Sequence, residues 1–385
     1  MTTRTSATTV FCIACASLLN GCFGGSSSGS GAGDDNDGVQ PEDVQVRQFD
    51  ASDHDEPVHV DLSTGEVLTL SAGEAADSEA WDIALQRHQI SLNGGTSGPG
   101  RVQGALLDGQ ASFYNEDGTP NASVFTNTGA ADTLDALLAP VDAVDSGDWV
   151  LDSITTEFGD DWYIYDFATG EFQPDPDNGW LLRSGTGDSY ARVRITELDF
   201  DSRAGDGVEH FRFEFDVQVP NTQQFTETAV FTGSLPGGGG DLCFDVDSDA
   251  TADCSGVDWD IQIGFQGQDF YLRSNSGVSG DGDGGVFGPF PWSELEAYDS
   301  ATVTPSGESI AGHYQPDAST GIFDAYSWYA YNLTGQHQLW PNYRVYLIDS
   351  DHDEDAAAQY ALQVINYYDG TGDSGHPELR WRQVD

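Results

Sequence analysis

Five landmarks, two of them led by tryptophan, recur in order along this chain of 385 residues, and they limit the fold more than any other feature. Trp81-Asp82-Ile83 returns as Trp259-Asp260-Ile261. The segment Asn93 to Gly100 returns as Asn275 to Gly282, both fitting N-x-G-x-S-G-x-G. Val124-Phe125 returns as Val286-Phe287, and Trp162-Tyr163-Ile164-Tyr165-Asp166 as Trp328-Tyr329-Ala330-Tyr331-Asn332. Tyr190-Ala191 and Tyr360-Ala361 then open two late alternating runs. An ordered set of this kind reads as a tandem duplication, with one unit at 44–221 and another at 222–385.

Each unit reads as strand. Val58 to Leu62, Phe211 to Val217 and Arg344 to Ile348 alternate apolar with polar residues, the period of half-buried antiparallel strands. Turn residues at Ser63-Thr64-Gly65, Asp166 to Gly170 and Thr334-Gly335 separate such runs. Helical signals are short: Thr133 to Leu138, and Ser293 to Tyr298 with a capping box expected between Ser293 and Glu296. The expectation is an all-β protein of two tandem antiparallel domains, each with one short helix.

The formal net charge is −52, and all 13 basic residues are Arg. Phosphate binding needs a basic footprint, so nucleic acid is excluded as a natural partner. An acid excess of this size suits a surface exposed to salt, where self-repulsion is screened. The apolar stretch Ala7 to Leu19 has the length of a signal-peptide core and ends in Leu19-Asn20-Gly21-Cys22, which resembles the lipobox of bacterial lipoproteins. That resemblance implies a signal peptide over 1–21, a lipid on Cys22, and a Gly/Ser/Asp tether over 22–43. It also implies anchoring to the cell envelope, with the outer membrane favoured because Phe23 follows the cysteine. Cys12 and Cys15 lie inside the signal segment. Cys243 and Cys254 remain, and in an exported chain a disulfide closing a hairpin is expected.

Several chemical motifs fail on context. Gly280-Gly282-Gly285 and Gly370-Gly372-Gly375 fit G-x-G-x-x-G but open no helix. Gly25 to Gly29 fits G-x-S-x-G within the tether. Asp245-x-Asp247-x-Asp249 and Asp349-x-Asp351-x-Asp353 offer odd-position carboxylates. An EF-hand needs Gly at the sixth place and a carboxylate at the twelfth, where these runs have Ala250 and Glu354, Gly256 and Tyr360. Calcium held in another geometry is one expectation, and solvated acidic surface is the other. No nucleophile motif survives, so no enzyme is expected.

The run W-D-I-A-L-Q-R-H-Q-I-S-L-N-G-G-T-S-G from Trp81 to Gly98 resembles the signature of the HmuY family of secreted haem-binding lipoproteins. Trp259-Asp260-Ile261, Trp328 to Asn332 and Ala361 to Tyr368 extend the resemblance to the second unit. It implies two tandem HmuY-like domains. It further implies haem held between two axial side chains and passed to an outer-membrane receptor or taken from a haem-carrying protein. Met is absent from the mature chain, leaving His, Tyr or Cys as ligands. Haem needs an aromatic-walled slot with ligands on separate loops. His313 and His337, on either side of Trp328, suit that clamp, and His88 beside Arg87 is a further candidate. His352, among Asp351, Asp353 and Glu354, better suits a charged loop or a metal. The alternative function is a carbohydrate-binding or adhesion module, with Trp and Tyr stacking on sugars and calcium in the loops.

Overall fold

The computed structural model describes residues 43–267 and 269–384. The signal segment, Cys22 and all of the tether but Asp43 lie outside the described residues.

Alternation builds the two large antiparallel sheets. Tyr190–Asp201 and Gly207–Gln218 bury every second side chain along most of their length. Their register shifts at Ile195/Glu197 and Asp199/Phe200, where bulges reset which face points inward. The first large sheet runs in the order Gln45–Gln48, Ser374–Val384, Gln359–Tyr368, Val345–Asp349, Gln103–Asp108. The second runs Glu227–Pro236, Gly207–Gln218, Tyr190–Asp201, Asn178–Arg183, Gly285–Pro291. Each is accompanied by a four-stranded sheet of matching order. One is Glu66–Leu68, Val58–Asp61, Ile83–Gln86, Gln89–Leu92, and the other is Ala250–Ala252, Gly240–Asp245, Ile261–Gln266, Asp269–Ser274.

These sheets group into two modules of the same design. One is continuous, residues 156–317; the other joins 43–155 to 318–384. Their cores are separate. Phe211, Phe213, Phe215, Phe231 and Phe244 pack with Trp162 and Trp180 in the continuous module. Val60, Ile83 and Leu92 pack with Trp328, Tyr346 and Trp381 in the other. At about 25 cal/mol per Å² of apolar surface, each buried ring contributes roughly 2–3 kcal/mol. Residues 221 and 222 fall in the turn between the paired strands Gly207–Gln218 and Glu227–Pro236, so each large sheet mixes strands from both sequence repeats.

The repeated polar residues lock equivalent corners. Asn93 donates to the Trp81 carbonyl at 2.8 Å and accepts from Gly100 N at 3.0 Å. Asn275 does the same with Trp259 (2.8 Å) and Gly282 (3.0 Å). A Cβ on Gly98 would stand 2.1 Å from Asn93 Oδ1, and one on Gly280 2.1 Å from Asn275 Oδ1, so close approach demands glycine there. Buried Asp82 accepts from Leu62 N (2.7 Å). Its counterpart Asp260 accepts from Val246 N (2.8 Å) and Gly185 N (2.7 Å). Asp152 takes Leu92 N and Asp317 takes Ser274 N in the same way.

Three local expectations are corrected. Val124-Phe125 lies in the helix Ala122–Asn127 whereas Val286-Phe287 lies in a strand, so this pair is a chance match. The second helix starts at Trp292 with Pro291 at its cap, and Ser293 forms no capping box with Glu296. A capping box does form at Ser71 and Glu74, ahead of Ala72–Ala76. Short helices are also more numerous than one per unit, with Leu134–Leu138 and Ile322–Ala325 among them. Cys243 and Cys254 form a disulfide, which closes the hairpin carrying Gly240–Asp245 and Ala250–Ala252.

Candidate functional site

A cavity of about 590 Å³ opens at one end of the discontinuous module. Three segments shape it. The tight turn between Ile83–Gln86 and Gln89–Leu92 carries Arg87 and His88, with Arg87 at φ +54°. The hairpin between Tyr329–Tyr331 and Leu339–Pro341 carries Gln336, His337 and Gln338. The end of Gln359–Tyr368 adds Tyr367 and Tyr368.

Each imidazole is held by a partner. His88 lies edge-on to the Tyr329 ring at 5.7 Å, and its carbonyl accepts from Trp328 Nε1 at 3.0 Å. Desolvation of its ring and then the charge of Arg87 lower its pKa, which favours the neutral, ligand-competent form. His337 sits at φ +56°, with its N–H donating to Asn332 Oδ1 at 2.8 Å. Its Nδ1 is 2.6 Å from the Tyr331 hydroxyl, which leaves Nε2 for a ligand. Burial raises the pKa of Tyr329 and Tyr367, so those phenols stay protonated at neutral pH. The Arg87 guanidinium donates to Ser52 O (3.0 Å) and Ser374 Oγ (2.9 Å), bracing the turn against the last strand.

The structure thus brings His88 and His337 together and leaves His313 apart. His313 belongs to the continuous module, edge-on to Phe287 at 5.1 Å. In that module Phe172 pairs with Tyr165 as Leu339 pairs with Tyr331, and the shorter turn between its strands, 167–170, has no histidine. Phe172 stacks on Phe200 at 4.8 Å and meets Phe270 at 5.4 Å, so rings fill the space. A second cavity, of about 520 Å³, has one imidazole, His59, set against Trp81. Sequence spacing did not reveal Tyr331 and Tyr368 as site residues. The signal for Tyr331 was its place two residues after Tyr329 in the repeated W-Y-x-Y motif, which turns it to the open side of the hairpin.

The acidic runs are occupied by their own folding. Asp245 caps the backbone N–H of Asp247 and Ser248, and Asp249 accepts from Val230 N. Asp351 forms a two-pronged pair with Arg101 at 2.8 Å on both arms, and Asp349 takes Gln103. His352 Nδ1 lies 3.3 Å from Asp353 Oδ1. Among the described residues no three His, Cys, Asp or Glu side chains converge on a metal position. The repeated Trp81, Trp162, Trp259 and Trp328 are at most 2% exposed, which removes them as platforms for sugars. No helix among the described residues is long and apolar enough to cross a membrane.

No curated protein matches this chain. Among solved structures, a Bacteroides vulgatus ATCC 8482 protein described as HmuY-like and heme-binding aligns over 90% of this chain and 94% of its own, at 10% identity and a TM-score of 0.30. A Bacteroides fragilis NCTC 9343 protein described as a lipoprotein aligns over 90% and 92%, at 10% identity and a TM-score of 0.32. The family profile of HmuY protein matches residues 53–215, which takes in the Trp81 to Gly98 signature and the turn carrying His88. Over residues 53–215 this chain is thus similar to the HmuY family.

Proposed function

We propose that this chain is an envelope lipoprotein that binds haem in the cleft between His88 and His337, for haem acquisition. The observation that carries the reading is the meeting of these two imidazoles, 249 positions apart in sequence, in one aromatic-walled cavity of about 590 Å³. Tyr329, Tyr367 and Leu339 supply the apolar wall, and Arg87 is the cation nearest the two candidate ligands for a propionate. Bound haem would supply an iron that takes imidazole nitrogen, and His88 and His337 would hold it. Both would present neutral imidazole, and Tyr331 would fix which nitrogen His337 offers. A lipid on Cys22, a surface location and delivery to an outer-membrane receptor complete the reading. The lipobox-like segment supports the first two.

The test is haemin titration of the soluble part, residues 43–385, followed by its Soret band. A stoichiometric band that weakens at least tenfold in affinity in His88→Ala and in His337→Ala, and is unchanged in His313→Ala, is the expected result. A band indifferent to both of the first two variants would overturn the site.

A further inference from the structure

We infer that the two sequence repeats fold by exchanging halves, and that this exchange assembles the His88–His337 cleft. The site part of the inference rests on the haem reading above; the exchange does not.

The equivalent corners fix the correspondence. Asp82, Asn93, Asp152 and Trp162 match Asp260, Asn275, Asp317 and Trp328 in order. Each repeat is therefore a first half ending near Asp152 or Asp317, then a second half starting at Trp162 or Trp328. The continuous module combines the second half of repeat one with the first half of repeat two. The other module combines the remaining halves, as the two separate cores show. The family match, 53–215, spans one repeat, yet its two halves lie in different modules.

The crossing itself has the geometry of an exchange. Ser153–Thr155 and Ala318–Thr320 carry the chain from one module to the other, and they pair antiparallel. Ser153 opposes Thr320, Ile154 opposes Ser319, and Thr155 opposes Ala318. With Asp152 matching Asp317, residues 153, 154 and 155 match 318, 319 and 320. The pairing is then self-complementary about Ile154 and Ser319, the signature of a two-fold interface.

Without exchange, each repeat would close on itself. The Arg87-His88 turn would meet the hairpin bearing Tyr165 and Phe172. The hairpin bearing Tyr331 and His337 would meet the end of the hairpin made by Ile261–Gln266 and Asp269–Ser274, whose strands carry no histidine. Each cleft would hold one imidazole. The exchange puts both in the same cleft and leaves the other filled by rings.

The test inserts a protease site after Gln223 in the full chain and cleaves the folded protein. Exchanged halves predict that the two fragments co-elute at the size of the uncut chain at every dilution and part only across the unfolding transition. Fragments that part on dilution while each keeps its β-sheet circular dichroism would overturn the exchange. A second variant, Arg101→Cys with Asp351→Cys, joins bridge partners from the first half of repeat one and the second half of repeat two. After cleavage it is expected to run as one species on a denaturing non-reducing gel; two species with two free thiols would overturn the exchange. Both readouts need no haem. Co-elution with no Soret band sinks the haem reading alone, whereas separation sinks the exchange whatever the band does.

Discussion

The indole of Trp328 donates to the carbonyl of His88 at 3.0 Å, across 240 positions of sequence. This bond fixes the height of the turn that carries one candidate ligand against the strand that leads to the other. Trp328→Phe keeps most of the buried ring but leaves the His88 carbonyl without that donor. The expected cost is about 1–3 kcal/mol of stability, read by denaturant titration, with a weaker Soret band at equal haemin.

Tyr331→Phe removes the hydroxyl that holds His337 Nδ1 at 2.6 Å. Tyr331 is 56% exposed, so stability should change by less than about 0.5 kcal/mol. Haemin affinity is expected to fall several-fold because the ring is free to present either nitrogen. A Soret titration matching the parent within error would count against that role.

Two glycines make opposite predictions. Gly98→Ala forces a Cβ to 2.1 Å of Asn93 Oδ1 and 2.7 Å of Trp81, breaking a buried corner. A loss of about 3 kcal/mol or more is expected. Gly73 lies in the helix Ala72–Ala76 with nothing within 4 Å of its added Cβ, so Gly73→Ala should gain about 0.5–1 kcal/mol. Thermal melts of the two variants read both signs.

Buried carboxylates set the pH dependence. Burial pushes Asp260 from 3.8 to about 7, and Asp82 and Asp317 from 3.8 to about 6, against hydrogen bonds that lower each. The folded chain then binds these protons more tightly than the unfolded chain. Stability from these groups falls as pH rises from 3.8 toward about 7 and levels off above. Each group can contribute a slope of at most about 1.4 kcal/mol per pH unit. Asp260→Asn leaves one of two N–H donors unmatched and so lowers stability throughout, but the fall between about pH 4.5 and about pH 7.5 should be shallower than in the parent. An unchanged slope in urea titrations would refute the assignment.

The strands were legible because alternation such as Phe211 to Val217 is a local property of one strand and its two faces. The repeat was legible because Asn93 and Asn275 satisfy the same corner and cannot be replaced piecemeal. What alternation does not carry is the identity of a strand's neighbour. Both first halves bear the same landmarks, so either second half offers a chemically equivalent partner. The haem site inherits that ambiguity. His313 and His337 flank Trp328 in sequence, yet the residue bonded to its indole is His88. The Thr-Gly turns that precede Phe172 and His337 look alike in sequence, and only the strand register shows that Phe172 matches Leu339 instead.

The pairing of Gln45–Gln48 with Ser374–Val384 has a consequence in time. Trp381 Nε1 bonds to Leu62 O, 319 positions upstream, so the segment at Leu62 must wait for the strand that carries Trp381. A chain that emerges from its N-terminus completes a whole repeat before the correct partner for either half exists. Early closure of that repeat on itself competes with the native arrangement until the strand Ser374–Val384 arrives. The continuous module, 156–317, can therefore form while the other still lacks its second half.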